Sequence, residues 1–110
     1  RRRPPARALL SPLVTTQIRV YRIRPGALEA FEREWREHVA PLRRQFGFEI
    51  LGAWASADED TFVWIIRHDG DFTAADRAYY LSRERAALDP DPARHILEPR
   101  AFVARPIELP

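Results

Sequence analysis

The sequence predicts an α+β domain with the element order βαββαβ. Three observations carry this reading. One is a long helical stripe placed between strand-like runs. The second is a pair of apolar runs joined by a short acidic turn. The third is a second helical stretch, with turn residues on both sides and a last apolar run after it. Four strands in one antiparallel sheet with two helices on one face is the ferredoxin-like, split βαβ arrangement.

The first strand is read over Thr15–Arg24. Thr15, Thr16, Ile18, Val20, Tyr21 and Ile23 favour extended backbone, and Gln17, Arg19 and Tyr21 share a face by the period of two. Pro25-Gly26 makes a turn. Across Ala27–Phe46, the residues Leu28, Phe31, Trp35, Val39, Leu42 and Phe46 recur at spacings of three and four and form one helical stripe. Glu29/Arg33 and Glu32/Arg36 are i,i+4 pairs on its wet side. Pro41 falls inside the pattern and predicts a kink or break just before it, and Gly47 fits the left-handed position after a helix end.

Phe48–Ala55 and Thr61–His68 read as strands joined in a hairpin by Ala57-Asp58-Glu59-Asp60. Asp71 or Thr73 can cap a second helix over Ala74–Leu88, which Asp89-Pro90-Asp91-Pro92 breaks. Ala93–Leu97 suits one more helical turn. Ala101–Leu109 is the last strand, and Pro106 within it assigns it to a sheet edge or a bulge.

Residues 1–14 read as an arm rich in Arg and Pro, and 15–110 as the folded domain. The pI near 9.7 belongs to that arm, which holds Arg1, Arg2, Arg3 and Arg7 and no acid. From Thr16 on, 14 Arg face 16 Asp and Glu. No basic stripe with interleaved aromatics follows, so nucleic acid is not an expected partner. No apolar run approaches the roughly 20 residues that span a bilayer, so no membrane partner is expected. Leu9-Leu10 is too short for a signal-peptide core, so a secretion signal is not expected. The absence of cysteine rules out disulfides and thiolate chemistry and suits a cytoplasmic setting. All 18 basic residues are Arg, which excludes lysine Schiff bases and suggests a GC-rich bacterial coding sequence.

Two helices cover one face of such a sheet, yet both faces read as apolar. Phe62, Trp64 and Ile66 alternate with Val63 and Ile65, and Phe48, Ile50 and Trp54 face away from Leu51 and Ala53. A sheet with one wet face alternates apolar with polar residues, so the second face predicts an interface. A homodimer that closes two sheets around a shared lumen satisfies both faces.

The Arg19-Val20-Tyr21 strand, the Arg24-Pro25-Gly26 turn, Trp35-Arg36-Glu37-His38 with Pro41, and the Phe46-Gly47 helix end together resemble the NIPSNAP family. Gly52-Ala53-Trp54 before the hairpin and Asp89-Pro90 after the second helix extend the resemblance, which runs from about Gln17 to the C-terminus. It implies the dimeric α/β-barrel superfamily, alongside the antibiotic-biosynthesis monooxygenases and related cofactor-free enzymes. It does not imply a reaction. Where the family commonly places a polar residue or His, then Trp, then an aromatic on strand three, this sequence has Trp64, Ile66 and His68.

With the Trp64–Ile66 face assigned to the lumen, His68 and Arg19 are the candidate catalytic groups. His68 would exchange a proton and Arg19 would hold an anionic oxygen. Tyr21, Gln17, Trp54, Phe62, Trp64 and Ile66 are the candidate ligand-binding residues, with Glu49 one possible partner for a buried Arg19. His38 flanks the helical stripe and His95 is expected at the surface. Tyr79 and Tyr80, with Arg77, Arg83 and Arg85, suit a cavity mouth, or one ring in the core and one at the surface. The scattered histidines have no metal-site spacing, and neither a metal nor a cofactor is expected. Two functions stay open: a cofactor-free monooxygenase, isomerase or cyclase acting on a small apolar or aromatic metabolite, and a non-catalytic dimer that binds a ligand or a protein.

Overall fold

The computed structural model describes residues 14–110. The expected arm lies outside the described residues except for Val14, which opens the first strand. The chain runs β1 (Val14–Ile23), α1 (Leu28–Glu34), a π-helical turn (Trp35–Val39), α2 (Ala40–Gln45), β2 (Glu49–Ser56), β3 (Thr61–Asp69), α3 (Phe72–Leu81), α4 (Arg83–Ala86), a 3-10 turn (Pro92–His95) and β4 (Ile96–Ala104). The strands form one antiparallel sheet in the order β2-β3-β1-β4, the expected α+β ferredoxin-like arrangement. Among the described residues, no helix is long and apolar enough to cross a membrane.

The predicted break before Pro41 is a π-helical turn. Pro41 has no N–H for the Glu37 carbonyl, and its ring would press on that carbonyl in a regular helix. The preceding turn widens instead, and the Ala40 N–H donates to the Trp35 carbonyl five residues back. Each residue advances a helix by about 100°, so the extra one rotates α2 and brings Arg43 onto the sheet side. Gly47 follows at φ 86°, the left-handed position that ends the helix.

The second helix is shorter than expected. Asp71 caps α3 by accepting from the Ala74 N–H, but Ser82 is extended and its hydroxyl caps α4 afresh through the Arg85 N–H. The last strand begins earlier, at Ile96, and Pro106 lies beyond it. The proline inside β4 is Pro99, opposite Tyr21. It is tolerated because β4 is an edge strand.

The pleat decides which face the helices cover. Arg19 stands opposite Trp64 and Tyr21 opposite Phe62, so these four share a face with Ile66. That face is the helix side: Trp64 is 1% exposed, its ring 5.4 Å from Trp35, and Phe62 lies 5.0 Å from Phe31. The assignment of Phe62, Trp64 and Ile66 to a lumen on the uncovered face is therefore corrected. Alternation groups residues by face, but with both faces apolar it does not say which one the helices take. Trp54 is the exception to that grouping. A register shift between Ile50 and Gly52 turns the strand, so Trp54 pairs with Val63 on the open face and is 56% exposed. Its ring lies over Gly52, where a Cβ would come within 2.6 Å of it.

Candidate functional site

β1, α2 and α3 converge on one buried ionic cluster beneath the helices. Arg19, 6% exposed, extends from β1 and donates from Nη2 to Asp76 Oδ1 at 3.2 Å. Its Nε and Nη2 also donate to Gln17 Oε1, at 3.1 and 2.9 Å. Arg43, 1% exposed, reaches the same Asp76 oxygen from Nη1 at 2.7 Å. The Tyr80 hydroxyl accepts from Arg43 Nη2 at 3.2 Å and from Arg19 Nη1 at 3.4 Å. One carboxylate thus holds two guanidiniums. Arg43 also lies 3.8 Å from the Tyr79 ring centre and 4.8 Å from that of Phe48, so cation–π contact supports its burial.

Burial acts against the Arg19 charge, but Tyr21, Tyr80 and Asp76 together outweigh it and leave its pKa raised. Burial raises the pKa of Tyr21 against the pull of Arg19, and that of Tyr79 against the pull of Arg43 and Arg85. Both phenols therefore stay neutral donors at neutral pH.

A cavity of about 70 Å3 opens beside this cluster. Its apolar wall comes from Tyr21, Phe31, Trp35 and Trp64, and its polar wall from Arg43, Tyr79, Tyr80 and Arg85. Trp35, Val39 and Arg43 line it from successive turns of the helix, a spacing of four that the π-helical turn maintains. Four polar atoms of its lining are buried without a hydrogen-bond partner among the described residues: Trp35 Nε1, Trp64 Nε1, Arg43 Nε and the Tyr79 hydroxyl.

The predicted residues divide accordingly. Arg19, Gln17, Tyr21 and Trp64 meet at the cluster or the cavity. Phe62 and Ile66 are core. Trp54 is on the open face. His68 packs on Phe48 at 5.1 Å near Gly47 and Gly70 and is not among the residues lining the cavity, so the expected convergence of His68 with Arg19 is not found. Thr15 is opposite His68 and Trp64 is opposite Arg19, which places the two candidates four strand positions apart. Glu49 pairs with Arg67 at 2.7 Å on the open face, and Asp76 takes the role considered for it. His38 is exposed beside Glu37. His95 is not a surface residue as expected: its ring lies 6.4 Å from Phe31 and its Nε2 is 3.3 Å from Glu34. Sequence reasoning missed Arg43 and Asp76. Pro41 was the available signal for Arg43, because the turn it widens moves Arg43 off the wet side.

A second ionic knot ties the 3-10 turn to α1. Glu34 accepts from Arg94 at 2.9 and 3.0 Å and faces His95. Burial opposes the Glu34 charge, but hydrogen bonds from Arg94 and His95 outweigh it and hold the carboxyl below its ordinary 4.5. A carboxyl with a depressed folded pKa contributes stability above its unfolded pKa and loses it as pH falls through the folded one. Stability is therefore expected to fall as pH drops below the ordinary 4.5, and Glu34→Gln to flatten that limb in urea titrations. An unchanged limb would remove Glu34 from the acid response.

Comparison with known proteins places these features in a family. No curated protein is found to match the sequence. A NIPSNAP family protein of Agrobacterium tumefaciens superposes with a TM-score of 0.76 at 15% identity, over 88% of this chain and 89% of its own. An uncharacterized NIPSNAP domain protein from Burkholderia xenovorans gives 0.71 at 17% identity, over 84% and 94%. A Nitrosomonas europaea protein named as an antibiotic biosynthesis monooxygenase gives 0.67 at 15% identity, over 88% and 93%. At these identities the likeness is one of fold. The NIPSNAP family model itself matches residues 16–101, most of the chain, and on that match the chain belongs to the NIPSNAP family.

Proposed function

We propose that this NIPSNAP domain binds a small apolar or aromatic metabolite between its sheet and its helices, as one half of a homodimer. The observation that carries the reading is the set of unpartnered donors around the cavity. A buried donor left unpaired costs about 1–3 kcal/mol, so a molecule that brings oxygen acceptors to several of them is held firmly. The rings of Tyr21, Phe31, Trp35 and Trp64 supply an apolar wall for the part of it inside the cavity.

The same donors would stabilise an enolate or phenolate oxygen, as a cofactor-free monooxygenase, isomerase or cyclase requires. The monooxygenase named among the structural neighbours supports that version. Against it, no histidine or carboxylate is among the residues that line the cavity, and Asp76 is held by two guanidiniums. The lining favours holding a charge over abstracting a proton.

The open face supports the homodimer. Val20 pairs with Val63, Ile18 with Ile65 and Phe102, and Trp54 with Val63, so these residues form one continuous apolar surface.

A thermal-shift panel of aromatic acids and phenols tests the binding site. A ligand at a hundred times its Kd should add about 2.7 kcal/mol of stability. Val39→Phe, which fills the cavity from the π-helical turn, should abolish the shift in a folded protein. Equal shifts in wild type and Val39→Phe would place the ligand elsewhere.

A further inference from the structure

The buried cluster carries more positive charge than it balances. Arg19 and Arg43 share the single carboxylate of Asp76, and among the described residues no other acidic side chain contacts either guanidinium. Arg85, on the cavity wall, is already paired with Asp91 at 2.8 Å. Tyr21 and Tyr79 are uncharged at neutral pH, so they supply no counter-charge there. One positive charge is left over beside a small cavity, and an unbalanced buried charge is costly unless a counter-charge joins it.

The free donors lie on the same wall. Arg43 spends Nη1 on Asp76 and Nη2 on Tyr80, and its Nε has no partner. The Tyr79 hydroxyl, on a side chain 1% exposed, has none either. The cavity's 70 Å3 holds an acidic group and few further atoms. A more open pocket of about 520 Å3 adjoins it, sharing Tyr80, Arg85 and Ala93 with its wall.

We propose that the ligand is a monoanion whose acidic group accepts from Arg43 Nε and the Tyr79 hydroxyl, while its apolar body passes Arg85 into the outer pocket. This rests on the cavity-binding reading above and narrows it to carboxylates and like-charged acids. Arg43 supplies the charge and Tyr79 the neutral donor, while Arg85, held by Asp91, lines the passage between the two pockets.

The test uses the full chain and a matched pair of probes, 2-naphthoate and its neutral amide, followed by tryptophan fluorescence. Naphthoate is expected to bind at least about tenfold more tightly than the amide, as a hydrogen bond to a charged group requires. Tyr79→Phe removes only an unpartnered hydroxyl. It should leave the melting temperature of the free protein unchanged or raise it, yet weaken naphthoate about tenfold. A merely structural Tyr79 would not separate those two readouts. Equal affinity for acid and amide, or unweakened naphthoate binding in Tyr79→Phe, would overturn the anion site. Binding that Val39→Phe still abolishes would then leave the cavity reading standing. If neither probe binds wild type, the cavity reading fails and the anion site with it.

Discussion

Asp76→Ala is expected to be among the most damaging single substitutions in this protein, costing about 3 kcal/mol or more. Asp76 is the sole carboxylate contacting Arg19 and Arg43 among the described residues, and both guanidiniums are buried. Removing it leaves two like charges in a nonpolar setting with nothing to offset them. The Asp76 side chain is itself partly open to solvent, so water can reach the site, which argues for the lower end of the range measured for broken buried pairs. Replacing Arg43 by Met in the same background should recover part of the loss, since a well-packed apolar side chain removes the orphaned charge. Urea unfolding of the wild type and the two variants measures this. An Asp76→Ala protein as stable as wild type would show that the cluster is solvated in solution.

Trp64→Ala is expected to cost about 3–5 kcal/mol, the usual range for truncating a buried tryptophan. Trp64 touches Trp35 and Tyr21 and lies under the guanidiniums of Arg19 and Arg43, so its removal opens a cavity beneath both helices. Its sequence neighbour Ile65 points the other way, onto the open face opposite Ile18. Ile65→Arg should therefore leave the monomer folded and split the proposed dimer. Urea melts give the first value, and light scattering, starting from about twice the 12.8 kDa chain, gives the second. Should Ile65→Arg unfold the chain while Trp64→Ala is benign, the two faces have been interchanged.

That contrast also marks how far the sequence could be read. The strand and helix order was legible because each element carries its own period, and Asp71 and Gly47 mark a helix start and a helix end. The covered face was not, because Phe62-Val63-Trp64-Ile65-Ile66 is apolar on both sides. Two irregularities then moved side chains that a strict period would place elsewhere. The register shift before Gly52 carried Trp54 onto the open face, and the π-helical turn before Pro41 carried Arg43 into the core. Arg19, Gln17, Tyr21 and Trp64 share one face of the sheet, as the period of two and the strand pairing require. Their partner Asp76 comes from α3, and period alone does not say which turn of a helix lies over which strand.

The ligand is proposed to lie between the sheet and the helices, and locating a bound probe is the test. Nuclear Overhauser contacts from isotope-labelled protein to the ring protons of 2-naphthoate would serve. That placement predicts ring contacts to Tyr80, Leu88 and Ala93 on the cavity's outer side, with the carboxylate shifting the Arg43 Nε resonance. Contacts to Trp54, Ile65 and Phe102 instead, with Arg43 Nε unmoved, would put the ligand on the open face and contradict it.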